Sequence, residues 1–149
     1  MALQKYNARD VFFEIENVTT PNQWIEIGGL NTWSKSHDEE TAETTTFASE
    51  GQAESEKMEI SKELELEGMR LRDSVTGAID AGQAMVETLS ERLGAASLGR
   101  IRYAHKDDDE WIIWTAHVNM GDEGGGNNDK TSWSATFTRS GADTTAVKS

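Results

Sequence analysis

The chain has 149 residues, no cysteine, 36% apolar residues and a formal charge of −13. That length suits one domain able to bury its own core, and the missing cysteines exclude disulfides and thiolate metal sites, as suits a reducing cytoplasm. No apolar run approaches the roughly 20 residues of a membrane-spanning helix, and the opening MALQKYNARD lacks the apolar centre of an export signal.

In chain order, residues 11–18 read as a strand, with Val11, Phe13 and Ile15 alternating with Glu14 and Glu16. Pro21 and Asn22 make a turn, 24–27 a short strand stopped by Gly28 and Gly29, and 30–37 a further strand. Residues 38–57 form a long, polar, Thr/Ser/Glu-rich loop, of a size that is often functional. Thr44, Thr45, Thr46 and Phe47 within it have β-propensity and suit a hairpin. The stretch 38–67 holds 11 acidic residues against Lys57 and Lys62, a net of −9, so most of the charge sits there. Such a surface repels phosphate backbones and argues against gripping nucleic acid.

Residues 58–66 alternate, with Met58, Ile60, Leu64 and Leu66 on one face and Glu59, Glu63 and Glu65 on the other. The apolar parity flips after Gly68 to Met69 and Leu71, which predicts a β-bulge at Gly68. The one helix is predicted over 80–93. Asp80 is its N-cap, Gln83 completes a capping box, Met85, Leu89 and Leu93 form the apolar stripe, and Gly94 is the stop.

Residues 99–105 make a strand with Ile101 and Tyr103 inward and Arg100 and Arg102 outward. A turn at 106–110 leads into 111–118, a strand apolar on both faces and therefore central or covered by a neighbour. Residues 121–130 form a Gly-rich loop, and 131–139 the cleanest strand, with Trp133, Ala135 and Phe137 inward. The tail 140–149 reads as an arm.

Motifs for chemistry are missing. His37, His105 and His117 lie far apart and read as solvated or hydrogen-bonded histidines. Asp107, Asp108 and Asp109 read as a solvated turn, because EF-hand spacing is absent. There is no phosphate loop, dinucleotide fingerprint, nucleophile elbow or zinc-binding helix. Arg100 and Arg102 read as an exposed face or as partners of an acidic segment on another subunit. Trp111 and Trp114 fall on opposite faces of one strand, so one of them is a candidate contact with a partner.

Taken in order, WIEIGGLNTWS, TTTF, LELEG, DAGQAMVETLSERLG and GGGNNDKTSWSATFTRSG resemble the major tail tube protein family of siphophages over about residues 10–141. The resemblance implies a mainly β fold, a sandwich or barrel with one flanking helix. It implies a single domain over 1–149, with an N-terminal arm at 1–9, an inter-ring loop at 36–57 and a C-terminal arm at 140–149. Six copies are expected to form a ring, and rings to stack into a hollow tube through which genomic DNA passes without specific binding. Thr44, Thr45, Thr46, Phe47, Trp111, Arg100 and Arg102 become candidate inter-subunit residues, and Glu59, Glu63 and Glu65 candidates for the lumen. The implied partners are further copies of the chain, a tape-measure protein, a tail terminator and baseplate or tip proteins. No cofactor and no enzymatic activity are implied. Tube proteins of contractile phages and type VI secretion share the fold. The alternative is a monomeric β-sandwich binding module for a protein or carbohydrate, using Trp33, Trp111 or Trp114 as a platform and the acidic loop for calcium.

Overall fold

The computed structural model describes residues 3–148. Its strands are β1 (Val11–Glu16), β2 (Trp24–Glu26), β3 (Leu30–Glu43), β4 (Ser55–Met69), β5 (Gly99–His105), β6 (Glu110–Met120), β7 (Ser132–Arg139) and β8 (Thr144–Val147). The helix α1 (Ala81–Ser90) lies between β4 and β5. All pairings are antiparallel, in the order β2-β1-β5-β6-β7-β4-β3, with β8 also on β6.

Alternation decides the inner face of this sheet. Phe13 and Ile15, Ile101 and Tyr103, Trp114 and Val118, Trp133 and Phe137, and Leu64 and Leu66 all point inward and are buried. The sheet curls until its ends meet. Trp33 of β3 packs edge-on against Phe13 of β1 with centroids 5.6 Å apart, and Lys35 Nζ donates to Tyr103 Oη at 3.2 Å. The result is the expected sandwich-like enclosure, with α1 adding Val86 and Leu89 to the core.

Helix α1 is held by its first turn. Asp80 Oδ2 accepts from the amides of both Gln83 and Gly28, at 3.1 Å each. The Gln83 side chain does not complete a capping box. It is fully buried, donates to the carbonyls of Gly28 and Met69, and accepts from the Leu71 amide. A buried amide that satisfies three backbone groups ties together the helix and the segments before β3 and after β4, because leaving any one unpaired costs about 1–3 kcal/mol. The helix ends at Ser90, earlier than the predicted 93. Leu93 is 88% exposed and Gly94 opens a separate 3-10 turn, so the inward stripe is Gln83, Val86 and Leu89.

Three expectations need correction. Residues 38–43 are strand, not loop: β3 runs to Glu43 and pairs with β4 as far as Glu43–Ser55, which leaves only 44–54 as the connection. The bulge predicted at Gly68 lies in the partner strand. Leu30 faces Gly68 and Thr32 faces Glu67, so Asn31 is the extra residue, while β4 pairs regularly with β7 through Gly68–Trp133 and Met69–Ser132. Gly68 is required for another reason, since a Cβ there would collide with the carbonyl of Gly29. Lastly, the tail is not a free arm. Ser140 N donates to Thr115 O at 2.7 Å, and the chain then rejoins the sheet as β8 beside the first half of β6. At the other end, residues 8–10 form a 3-10 turn, and Ala8 O accepts from Trp33 Nε1 at 3.0 Å. Residues 1, 2 and 149 of the expected arms lie outside the described residues.

Candidate functional site

The β3–β4 hairpin is the most conspicuous departure from a compact domain. Its base is core: Trp33 faces Leu66, and Lys35 faces Leu64. From His37 to Glu43, beyond the last pairing of β4 with β7, it continues as a two-stranded ribbon, about 20 Å at the rise of a strand residue. Met58 and Ile60, expected inward, are 67% and 45% exposed there. Ile60 keeps the parity predicted for it, Met58 is the extra residue where the register with β3 shifts, and the core ends before either is reached. Glu40 stands directly opposite Glu59, a like-charge pairing that weakens a ladder, and the register shifts immediately beyond it. The ribbon gains little from its own chain apart from Glu39, which pairs with Lys57 Nζ at 2.7 Å and His37 Nε2 at 3.0 Å.

The tip holds the four inter-subunit candidates Thr44, Thr45, Thr46 and Phe47, and it is ordered by its own hydrogen bonds. Thr44 N donates to Glu54 O at 3.0 Å, and Thr45 Oγ1 accepts from Glu54 N at 2.8 Å. Thr46 and Ser49 cap one another around a 3-10 turn, and Glu50 and Gly51 reverse the chain in left-handed conformations. That turn presents Phe47 with its side chain fully exposed.

The outer face of the sheet divides by chemistry. Glu59, Glu63 and Glu65 do share this face, together with Glu67. Glu63, Glu65 and Glu67 are flanked by Ser36, Ser34 and Thr32 on β3 and by Thr138, Thr136 and Ser134 on β7, giving a band of carboxylates and hydroxyls. Glu65 shares a hydrogen bond with Glu67 and pushes the Glu67 carboxyl up from the usual range, because two adjacent carboxylates resist ionising together.

Across β7, on β5 and β6, the face becomes cationic and aromatic. Arg102 pairs with Glu14 on β1, its Nε donating at 2.7 Å, and Arg100 pairs with Glu16. The Arg102 guanidinium lies between the rings of Trp24 and Trp111, 4.4 and 4.3 Å from their centroids, and Lys148 stands over Trp111 at 5.2 Å. The arginines expected to seek an acidic segment on another subunit thus already have carboxylate partners within the chain. On the outer side of β6, Ile113 is buried, and Trp111 stays partly exposed beneath Arg102 and Lys148. Neither Glu14, Glu16 nor Trp24 was singled out from sequence. The available signal was the matching alternation of Glu14 and Glu16 with Arg100 and Arg102 on strands that proved to be neighbours.

Hydrogen bonds from Arg100 hold the Glu16 carboxyl below the usual carboxylate range. A carboxyl depressed in the folded state stabilises above its unfolded pKa, and that contribution is lost as pH falls through the folded value. The stability gap between wild type and Glu16→Gln is therefore expected to be present at neutral pH and to close as pH falls below the ordinary carboxylate range, as read from urea midpoints. A gap that does not change with pH would remove the ion pair as its cause.

The three histidines stay apart. His37 is on the ribbon, His105 ends β5 with Nδ1 accepting from Asp107 N at 3.1 Å, and His117 sits on the outer face of β6. Among the described residues no group of three or more His, Asp or Glu side chains is placed to hold a metal ion.

No protein-family model and no curated protein sequence matches the chain. Solved structures do match it over nearly its whole length. The chain is similar to one from the tail of an empty gene transfer agent particle with C6 symmetry, with a TM-score of 0.72 and 16% identity over 96% of this chain and 100% of that one. The chain has the tail-tube fold. A chain from the six-fold symmetrised baseplate of the anti-feeding prophage matches with a TM-score of 0.61 and 11% identity, over 99% of this chain and 98% of that one. A chain from the sheath–tube complex of an extracellular contractile injection system matches at 0.60 and 10%, over 97% and 93%. The tail-tube fold expected from sequence is thus present over nearly the whole length, and its occurrence in a contractile system shows that fold does not separate the two kinds of tail.

Proposed function

We propose that this chain is a structural, non-catalytic subunit of a bacteriophage-type tail tube, assembling into stacked rings around a hollow conduit for genome passage. The observation that carries this reading is the whole-length likeness to a chain of a tail with C6 symmetry, which favours rings of six. The ribbon supports it, because about 20 Å of strand pairing projects beyond β7 with no further strand of the described residues beside it. Residues 36–57 are the proposed inter-ring element of a single 1–149 domain. The band of Glu59, Glu63, Glu65 and Glu67 is the proposed lumen wall, where like charge keeps DNA from adhering. The finished particle's tail is the proposed location, after synthesis in the host cytoplasm, with tape-measure, terminator and baseplate or tip proteins as partners.

The binding-module alternative is weaker for a physical reason. A stacking platform needs an open ring face, but Trp24 and Trp111 hold Arg102 between them, Trp33 packs on Phe13, and Trp114 and Trp133 are buried.

Negative-stain electron microscopy of the concentrated protein, with size-exclusion chromatography alongside, tests the proposal. Rings or tubes with a central hole are the expected result. A monomer at every concentration that is also stabilised thermally by calcium or a glycan would favour the binding module.

A further inference from the structure

The hairpin tip has a complement on the same chain, and the two lie too far apart to meet within one molecule. A cavity of about 230 Å³ opens between the start of β1 and the start of β3. Its apolar lining is Val11, Phe12, Phe13, Ile27, Leu30 and Trp33. An apolar cavity near 150 Å³ already accepts a benzene ring, so this one has room for an aromatic side chain. Two charges stand on its rim. Arg9 has no ion pair among the described residues, and Glu26 opposes it in sign.

We infer that Phe47 of one copy seats in this groove on the next copy, as the apolar anchor of ring-to-ring stacking. The inference rests on the tube reading and names the residues that would make its axial contact. Three observations carry it. Phe47 is fully exposed on a turn fixed by reciprocal capping, so little ordering is lost when it inserts. The tip, 44–54, carries Glu50 and Glu54 and no cation, which matches the unpaired Arg9 beside the groove. Finally, the groove is built on residues 28–33, where β3 starts, whereas the tip follows where β3 ends. Some 10 residues of strand, about 33 Å, separate them. The chain cannot bury its own Phe47, but a copy displaced along β3 can. That contact is heterologous and repeats without closing, the geometry of an open-ended stack.

The chain has no cysteine, so a disulfide can report the contact directly. In a variant carrying Ala48→Cys and Thr32→Cys, the two thiols of one chain are too far apart to join, since a disulfide needs Cα atoms within about 7 Å. Under mild oxidation, tubes of this variant are expected to give a ladder of dimers, trimers and longer covalent chains on denaturing gels. Phe47→Ala, with unchanged circular dichroism, is expected to raise the protein concentration needed for tubes at least tenfold. Tubes without a ladder, or Phe47→Ala tubes at the wild-type concentration, would overturn the docking and leave the tube reading standing. Neither tubes nor ladder at any concentration would overturn both.

Discussion

Trp133→Ala is expected to destabilise the folded subunit by about 3–5 kcal/mol, the range for emptying a large aromatic site. Trp133 is almost wholly buried on β7, directly across from Gly68 of β4. Gly68 has no side chain to move into the vacancy, and Gly29 already presses against it, so the site cannot collapse from that side. Trp133 Nε1 has no hydrogen-bond partner among the described residues, so the loss is one of packing and not of a polar contact. Trp133→Phe should therefore retain most of the stability. Urea titration with the circular dichroism of the sheet as readout gives both numbers. A loss under about 1 kcal/mol for the alanine variant would place Trp133 outside the core.

Deleting residues 41–56 and closing the ribbon with Asn-Gly is expected to abolish tube formation while leaving a folded monomer. The deleted stretch contributes no residue to the apolar core; its one buried residue, Ser49, is buried only within the tip. With Glu40 opposite Glu59, Asn-Gly together with Lys57 and Met58 makes a four-residue connection, a common hairpin length, so the closure itself should be tolerated. A thermal midpoint within a few degrees of wild type, together with particle-free micrographs, is the expected pair of results. Loss of the fold on deletion would mean that the ribbon supports the core. Normal tubes would remove the ribbon from assembly altogether.

The strands that enclose the core were legible because their burial is one-sided. Ile101 with Tyr103, Leu64 with Leu66, and Trp133 with Ala135 and Phe137 all announce a face by strict alternation. The second half of β3 was not legible. Asp38, Glu39, Glu40 and Glu43 have neither β-propensity nor an apolar face, and they are strand only because β4 lies alongside. Residues 144–147 likewise become strand through pairing with β6. The parity flip read after Gly68 is not present in β4: Gly68 continues the buried face of Leu64 and Leu66, while Met69 and Leu71 are exposed, and the extra residue, Asn31, belongs to a strand pairing no local pattern encodes. The helix start was readable from Asp80. Its end was not, because Leu93 continues the spacing but meets no core. In the candidate site the tip and the acidic face were found from sequence, and the cation–aromatic column and the groove were missed, since each gathers residues distant along the chain.

The shape of the β3–β4 hairpin also bears on the timing of assembly. The tip keeps its form through its own hydrogen bonds, but the ribbon carrying it is anchored only at its base, and an uncovered two-stranded ribbon is marginal in water. In the proposed inter-ring role, two free subunits that meet must restrain two such ribbons for a single contact. A subunit arriving at an existing end finds the neighbouring ribbons already held. Growth is then intrinsically faster than initiation, as in any polymer with a costly nucleus. Concentrated protein should wait through a lag that preformed ends remove, so that the length of the structure is governed by where and when it is started.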